Sequence, residues 1–218
     1  LHDGETPGGW EATATERALK NGPGAQVLQA GDDQAGFYGE VPTSGLIDGA
    51  SLASEIGLSA GTAHNTNAPW LKFASQGKVL FVAKQTYRYG MSWDDIDAVG
   101  AVEGNVEVTS SLGDTYRVRL LTGGDNDFSS EAGGEWNALF YPVHVDDPNA
   151  QNWGVGYTNA DLGIGSGRGR NTWCQEVSAD NAGRRVSRGY SSVTAFDTLA
   201  SSYDYWTTGW RPVLELVE

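Results

Sequence analysis

Thirty glycines punctuate this 218-residue chain, nearly twice the usual ~7%, and they confine regular structure to short pieces. Eight Trp, nine Tyr and six Phe are spread among them. That combination points to a fold of small strands with long surface excursions. A chain of this length buries roughly 70% of its unfolded surface, so a core forms without disulfide staples. The point matters because Cys174 is the one cysteine. No internal disulfide can form, no Cys-pair metal or redox site exists, and the thiol is expected to be a small buried hydrophobe.

Charge excludes two classes of partner. Lys and Arg number 14 against 28 Asp and Glu, a formal net charge of −14. Nucleic acid and anionic membranes both call for a basic surface. No apolar run approaches the ~18 residues of a membrane span, so neither nucleic-acid binding nor membrane insertion is expected.

Residues 1–35 read as an arm. Thr6-Pro7-Gly8-Gly9 and Asn21-Gly22-Pro23-Gly24 are breaker clusters. A short helix over Glu11–Lys20 would have a thin apolar side and need a partner. A mobile tail and an arm docked on another subunit both fit. Order is expected from Gly36, and residues 36–218 form the domain.

Within it, Asp48 caps a helix that runs to Ile56 and stops at Gly57. Residues 57–69 read as a loop. Trp70–Phe73 and Lys78–Ala83 flank a turn at Ser75-Gln76-Gly77, which makes a hairpin. Ser92-Trp93-Asp94-Asp95 is a capping box that opens a helix ending at Gly100. Val106 and Val108, then Tyr116, Val118 and Leu120, alternate as half-buried strands. Glu135–Tyr141 is a second such helix, which Pro142 is expected to stop. Residues 144–171 form a long loop without periodicity. Three strands close the chain at Thr172–Val177, Arg184–Tyr190 and Trp210–Val217, with Trp173 and Trp210 in the core. The fold class is α+β with mostly antiparallel pairing.

The order of elements, with a long loop after the second helix, resembles the C-type-lectin-like fold. The closing residues Trp173-Cys174-Gln175, Arg184-Arg185-Val186, Arg188-Gly189-Tyr190 and Gly209-Trp210-Arg211-Pro212-Val213-Leu214 resemble its formylglycine-generating-enzyme branch. Further blocks at Ala35–Val41, Trp70–Phe73, Lys78–Lys84, Ser92–Asp94, Glu135–Leu139 and Trp173–Glu176 look like bacteriophage and prophage virion proteins of the tail-fibre or receptor-binding kind. That resemblance spans roughly residues 35–218. It implies a virion protein, homo-oligomeric, attached to other virion proteins through its N-terminal arm and recognising a host-surface glycan or protein. The alternative is a capsid-decoration or tail/baseplate connector protein whose aromatic face meets another virion protein.

An enzyme is not expected. The formylglycine-generating branch needs two active-site cysteines, and this chain has one. His144 with Asp146 could begin a metal or acid–base site, though a solvated pair is the plainer account. Gly163-Ile164-Gly165-Ser166-Gly167 does not join a strand to a helix as a phosphate loop does. No cofactor is expected. The one metal candidate is calcium at Asp125 and Asp127, which follow Gly123-Gly124 on a turn rich in hard oxygen ligands. Asp147-Pro148-Asn149 faintly resembles a sugar-binding lectin motif, but its later partner motif is missing.

Arg168, Arg170, Arg184, Arg185 and Arg188 are expected to pair with the protein's own excess carboxylates. The rival account is a local site for a carboxylated or phosphorylated glycan. The segment 190–207 is read as the binding surface. Tyr190, Phe196, Tyr203, Asp204, Tyr205 and Trp206 are its candidate ligand-binding residues, because Tyr and Trp give large rigid contacts and Ser adaptable hydrogen bonds.

Overall fold

The computed structural model describes residues 21–124, 134–146 and 151–217. The expected Glu11–Lys20 helix, Asp125, Asp127 and Asp147-Pro148-Asn149 lie outside them. Along the chain run β1 (Ala30–Gly31), β2 (Ala35–Val41), α1 (Gly49–Glu55), β3 (Thr62–Ala63), β4 (Trp70–Ser75), β5 (Lys78–Ala83), β6 (Arg88–Tyr89), α2 (Trp93–Ala98), β7 (Glu103–Thr109) and β8 (Thr115–Arg119). A π-helical turn at Trp136–Phe140 leads into α3 (Tyr141–Val143), followed by α4 (Asn159–Leu162). Last come β9 (Asn171–Ser178), β10 (Asn181–Arg188), β11 (Phe196–Ala200), β12 (Thr208–Trp210) and β13 (Val213–Leu216).

The architecture is α+β with two sheets. The first, ordered β1-β2-β4-β5-β13-β8-β7, is antiparallel throughout. The second, ordered β11-β10-β9-β12-β6-β3, has one parallel pair, β12 with β9.

Local chemistry explains most of these elements. Asp48 accepts from the Ala50 and Ser51 amides and starts α1. Ser92 and Asp95 exchange side-chain and backbone bonds at the head of α2. Between β4 and β5, Gln76 (φ 51°) and Gly77 (φ 76°) turn the chain with two left-handed residues, the turn that matches the twist of a two-residue hairpin.

Every residue of β4 is buried, because the first sheet has a core on each face. Trp70, Phe81, Tyr116, Val118 and Leu214 join α1, α2, Trp173 and Trp210 on one side. Leu71, Phe73, Leu80, Val82 and Val213 join Trp136, Phe140, Leu162 and Val193 on the other.

Several expectations are corrected. Order begins before Gly36: the Lys72 ammonium, fully buried, donates to the Ala25 carbonyl at 2.8 Å and holds residues 21–25 against the sheet. The helix continues through Pro142 to Val143, because the wide π turn before it removes the tight i→i−4 geometry that a proline would break. The stretch 144–171 contains α4, opened by a Thr158–Asp161 capping box. Thr62–Ala63, within the expected 57–69 loop, pairs with β6.

The strand expected at Arg184–Tyr190 ends at Arg188, where Gly189 turns out of it with φ 88°. Trp210–Val217 is not one strand. Pro212 cannot donate to a ladder, and the chain changes sheets there, β12 lying in the second and β13 in the first. Phe196–Ala200, expected within a loop, is an edge strand paired with β10.

Lys72 gives a stability test. Besides its carbonyls it faces the Tyr38 and Phe81 rings, and burial pulls its pKa down to about 8. Its unfolded value is about 10.4, so the folded chain releases this proton first. Between those values the unfolded state holds more protons, and this group makes stability rise with pH. Urea midpoints of the native protein and Lys72→Met, compared from pH 7 to pH 10, should shift in the native protein's favour as pH rises. Parallel curves would contradict the burial of the charge.

Candidate functional site

The turn from Ser201 to Thr207 joins β11 to β12, and its backbone is pinned at many points. The Tyr203 amide donates to the Ala200 carbonyl at 2.9 Å, and the Thr208 amide to that of Tyr205 at 2.9 Å. From the facing chain, the Gly169 amide donates to the Trp206 carbonyl at 3.0 Å and the Asn171 amide to that of Thr207 at 2.9 Å. The buried Thr208 hydroxyl bonds the Met91 carbonyl at 2.9 Å.

Side chains on this fixed turn point outward. Tyr203 is 40% exposed, Tyr205 52% and Trp206 41%, and Asp204 is exposed. The very next residues, Thr207 and Thr208, are buried. The rings form a ladder, with centroids 6.1 Å apart for Tyr203 and Tyr205 and 5.6 Å for Tyr205 and Trp206.

Two arginines extend the ladder. The Arg170 guanidinium lies 4.4 Å from the Tyr190 ring centroid and 5.4 Å from that of Trp206, linking exposed Tyr190 to the crest. Arg168 donates to the Tyr89 hydroxyl at 2.7 Å and sits 5.1 Å from that ring. His64 meets Tyr89 edge-on at 5.5 Å. Burial first and the Arg168 charge second hold the His64 imidazole below its ordinary value. Gly169, with φ 68°, makes the bend between the arginines possible, and a Cβ there would lie 2.6 Å from the Thr86 hydroxyl. Tyr89, Arg168 and Trp206 line a cleft of about 400 Å³.

Phe196 stands apart from this group. It is half-buried in β11, and the buried Arg188 guanidinium lies 4.9 Å from its ring.

Arg168, Arg170, Arg184 and Arg185 depart from the expected carboxylate pairing among the described residues. Among the described residues, Arg184 bonds the Thr198 carbonyl, Arg185 lies over Trp93 and Arg188 bonds the Gly123 carbonyl. The carboxylates find other partners, as in the Arg119–Glu135, Arg119–Glu215 and Lys84–Glu40 pairs. Glu40 also accepts from the Tyr157 hydroxyl at 2.6 Å, which ties the long loop to β2.

The chemistry considered at His144 also changes. The side chain is buried rather than solvated. Its Nδ1 accepts from the Asp146 amide at 3.0 Å and its Nε2 meets Asn159 Oδ1 at 2.9 Å. The Asp146 carboxylate is not the partner, and both ring nitrogens are engaged. Gly163 caps α4 in the left-handed conformation, so the glycine run that follows terminates a helix. Cys174 is buried as expected, and burial pushes its thiol well up. Among the described residues, no three His, Cys, Asp or Glu side chains converge as a metal site would need.

Sequence reasoning missed Tyr89 and His64, which reach the site from β6 and from the residue after β3. Arg168 and Arg170 did carry a signal, as closely spaced cations in an acidic chain. The chain matches no protein-family model, no curated protein and no solved structure.

Proposed function

We propose that this protein is a non-enzymatic binding module with a C-type-lectin-like architecture, of the kind carried at phage fibre tips, which recognises a host cell-surface ligand through the Tyr203–Trp206 crest. One observation carries the reading: large exposed rings stand on a backbone immobilised by hydrogen bonds, directly above buried core. Rigid aromatic anchors lose little entropy when a partner arrives, which makes them effective contact residues. The likeness to a lectin-like frame rests on the succession of hairpin, helix, strand pair, helix, long loop and closing strands. The engagement of His144 and the inert burial of Cys174 favour binding over catalysis. Within this reading the protein belongs to the virion, repeated copies supply avidity, and the N-terminal stretch attaches to other virion proteins.

Binding to intact bacterial envelopes tests this reading. Tyr203→Ala and Tyr205→Ala should each lower apparent affinity at least about ten-fold and shift the melting temperature by no more than ~2 °C. Unchanged binding, or loss of folding, would remove the argument. If the crest instead binds another virion protein, the variants will weaken that association and leave envelope binding untouched.

A further inference from the structure

Arg168 and Arg170 hold unused bonding capacity. A guanidinium carries five N–H donors. Among the described residues Arg168 uses one of them, on Tyr89. Arg170 donates to none, is held only between rings, and its buried Nε has no acceptor. Neither forms an ion pair among the described residues, although the chain carries twice as many acidic as basic side chains.

Other clefts differ. One of about 410 Å³ holds Lys78 and Glu215, already paired at 2.7 Å. In one of about 350 Å³ beside α1, Arg88 donates to the Ser59, Ala60 and Gly61 carbonyls.

We propose that the cleft of Tyr89, Arg168 and Trp206, extended by Arg170 and Tyr190, binds an acidic saccharide, whose carboxylate meets the free guanidinium donors while a sugar ring lies against Trp206 and Tyr205. This inference rests on the crest being a ligand-binding surface. A carboxylate matches the planar donor fork of arginine. The flat rings next to it suit the C–H face of a pyranose, and a cleft of this size falls within the range of small-ligand sites. The overall charge of −14 repels dense polyanions over a Debye length of about 8 Å, which favours a saccharide with isolated carboxylates.

Calorimetric titration tests the assignment. The probes are sialyllactose and a glucuronic-acid disaccharide, each as the free acid and as its methyl ester. At least one acid should bind, and its ester should bind at least about ten-fold more weakly. Arg168→Gln and Arg170→Gln should bring the acid down to the level of the ester while leaving the fold intact by circular dichroism. Equal binding of acid and ester would overturn the inference. So would failure of both acids to bind while Tyr205→Ala still weakens envelope binding, which would mean that the crest takes a neutral sugar or a protein. If Tyr205→Ala leaves envelope binding unchanged, the reading of the crest itself fails.

Discussion

Arg211→Met should destabilise the protein by about 3–5 kcal/mol, a large part of the 5–15 kcal/mol that holds a typical domain together. The native guanidinium is fully buried. It donates to the carbonyls of Ala83, Lys84 and Leu162 and to the Thr172 hydroxyl, and it lies against the Phe140 ring. These acceptors come from the end of β5, the end of α4 and β9. Arg211 therefore clamps three segments at the point where the chain passes from one sheet to the other. Methionine fills similar space but leaves three main-chain carbonyls without this donor. Burial lowers the arginine's proton affinity, yet a group with so high an ordinary value stays charged near neutrality. Arg211→Lys should fail as well, because one ammonium cannot reach acceptors spread across a planar fork. Urea unfolding measures both, and a loss below about 1 kcal/mol would show that the clamp is dispensable.

Arg119→Ala should cost a similar amount, about 3–5 kcal/mol at neutral pH. Arg119 bonds Glu215 at 2.9 Å and both oxygens of Glu135, at 2.6 and 2.7 Å. All three side chains are largely buried. Burial pushes the Glu215 carboxyl up, but the Lys78 hydrogen bond and the Arg119 charge reverse this and leave it below the ordinary carboxylate value. A carboxyl lowered on folding contributes stability above its unfolded value of about 4.3, and that contribution is lost as pH falls through the folded value. Without Arg119, Glu215 keeps Lys78 but loses the other cation that holds its carboxyl down, so it takes up a proton at higher pH than in the native protein. The gap between native and variant should narrow as pH falls from about 7 to about 4. A gap that stays constant with pH would mean that lost packing, not unpaired charge, sets the cost.

What the sequence revealed follows from the range of the forces involved. Asp48, the Ser92–Asp95 box and the Gln76-Gly77 turn act over a few residues, so their elements were legible. The Thr158–Asp161 box is just as local, but it lies in a glycine-rich stretch and opens a helix of four residues, too short for a periodic pattern. The strand at 196–200 has half-buried residues on both faces and no alternation to betray it. Its identity depends on pairing with β10. The break at Pro212 was visible as a proline, but which sheet each half joins is decided by contacts far away in the chain. At the candidate site, Tyr203, Asp204, Tyr205 and Trp206 could be singled out because they are neighbours. Tyr89 and His64 join them only through β6 and β3. Arg168, Arg170 and Arg185 were read against the wrong partner, because composition counts carboxylates and cannot show that aromatic rings are nearer.

The proposed contact surface of the module is the crest together with the neighbouring arginine turn. Hydrogen–deuterium exchange tests it most directly, with the protein alone and mixed with envelopes from bacteria of differing surface carbohydrate. With at least one envelope, protection should rise in peptides covering 166–171 and 201–207 and stay unchanged in β4, β5 and β13. Protection confined to the cleft around Lys78 and Arg117, or absent with every envelope, would contradict it.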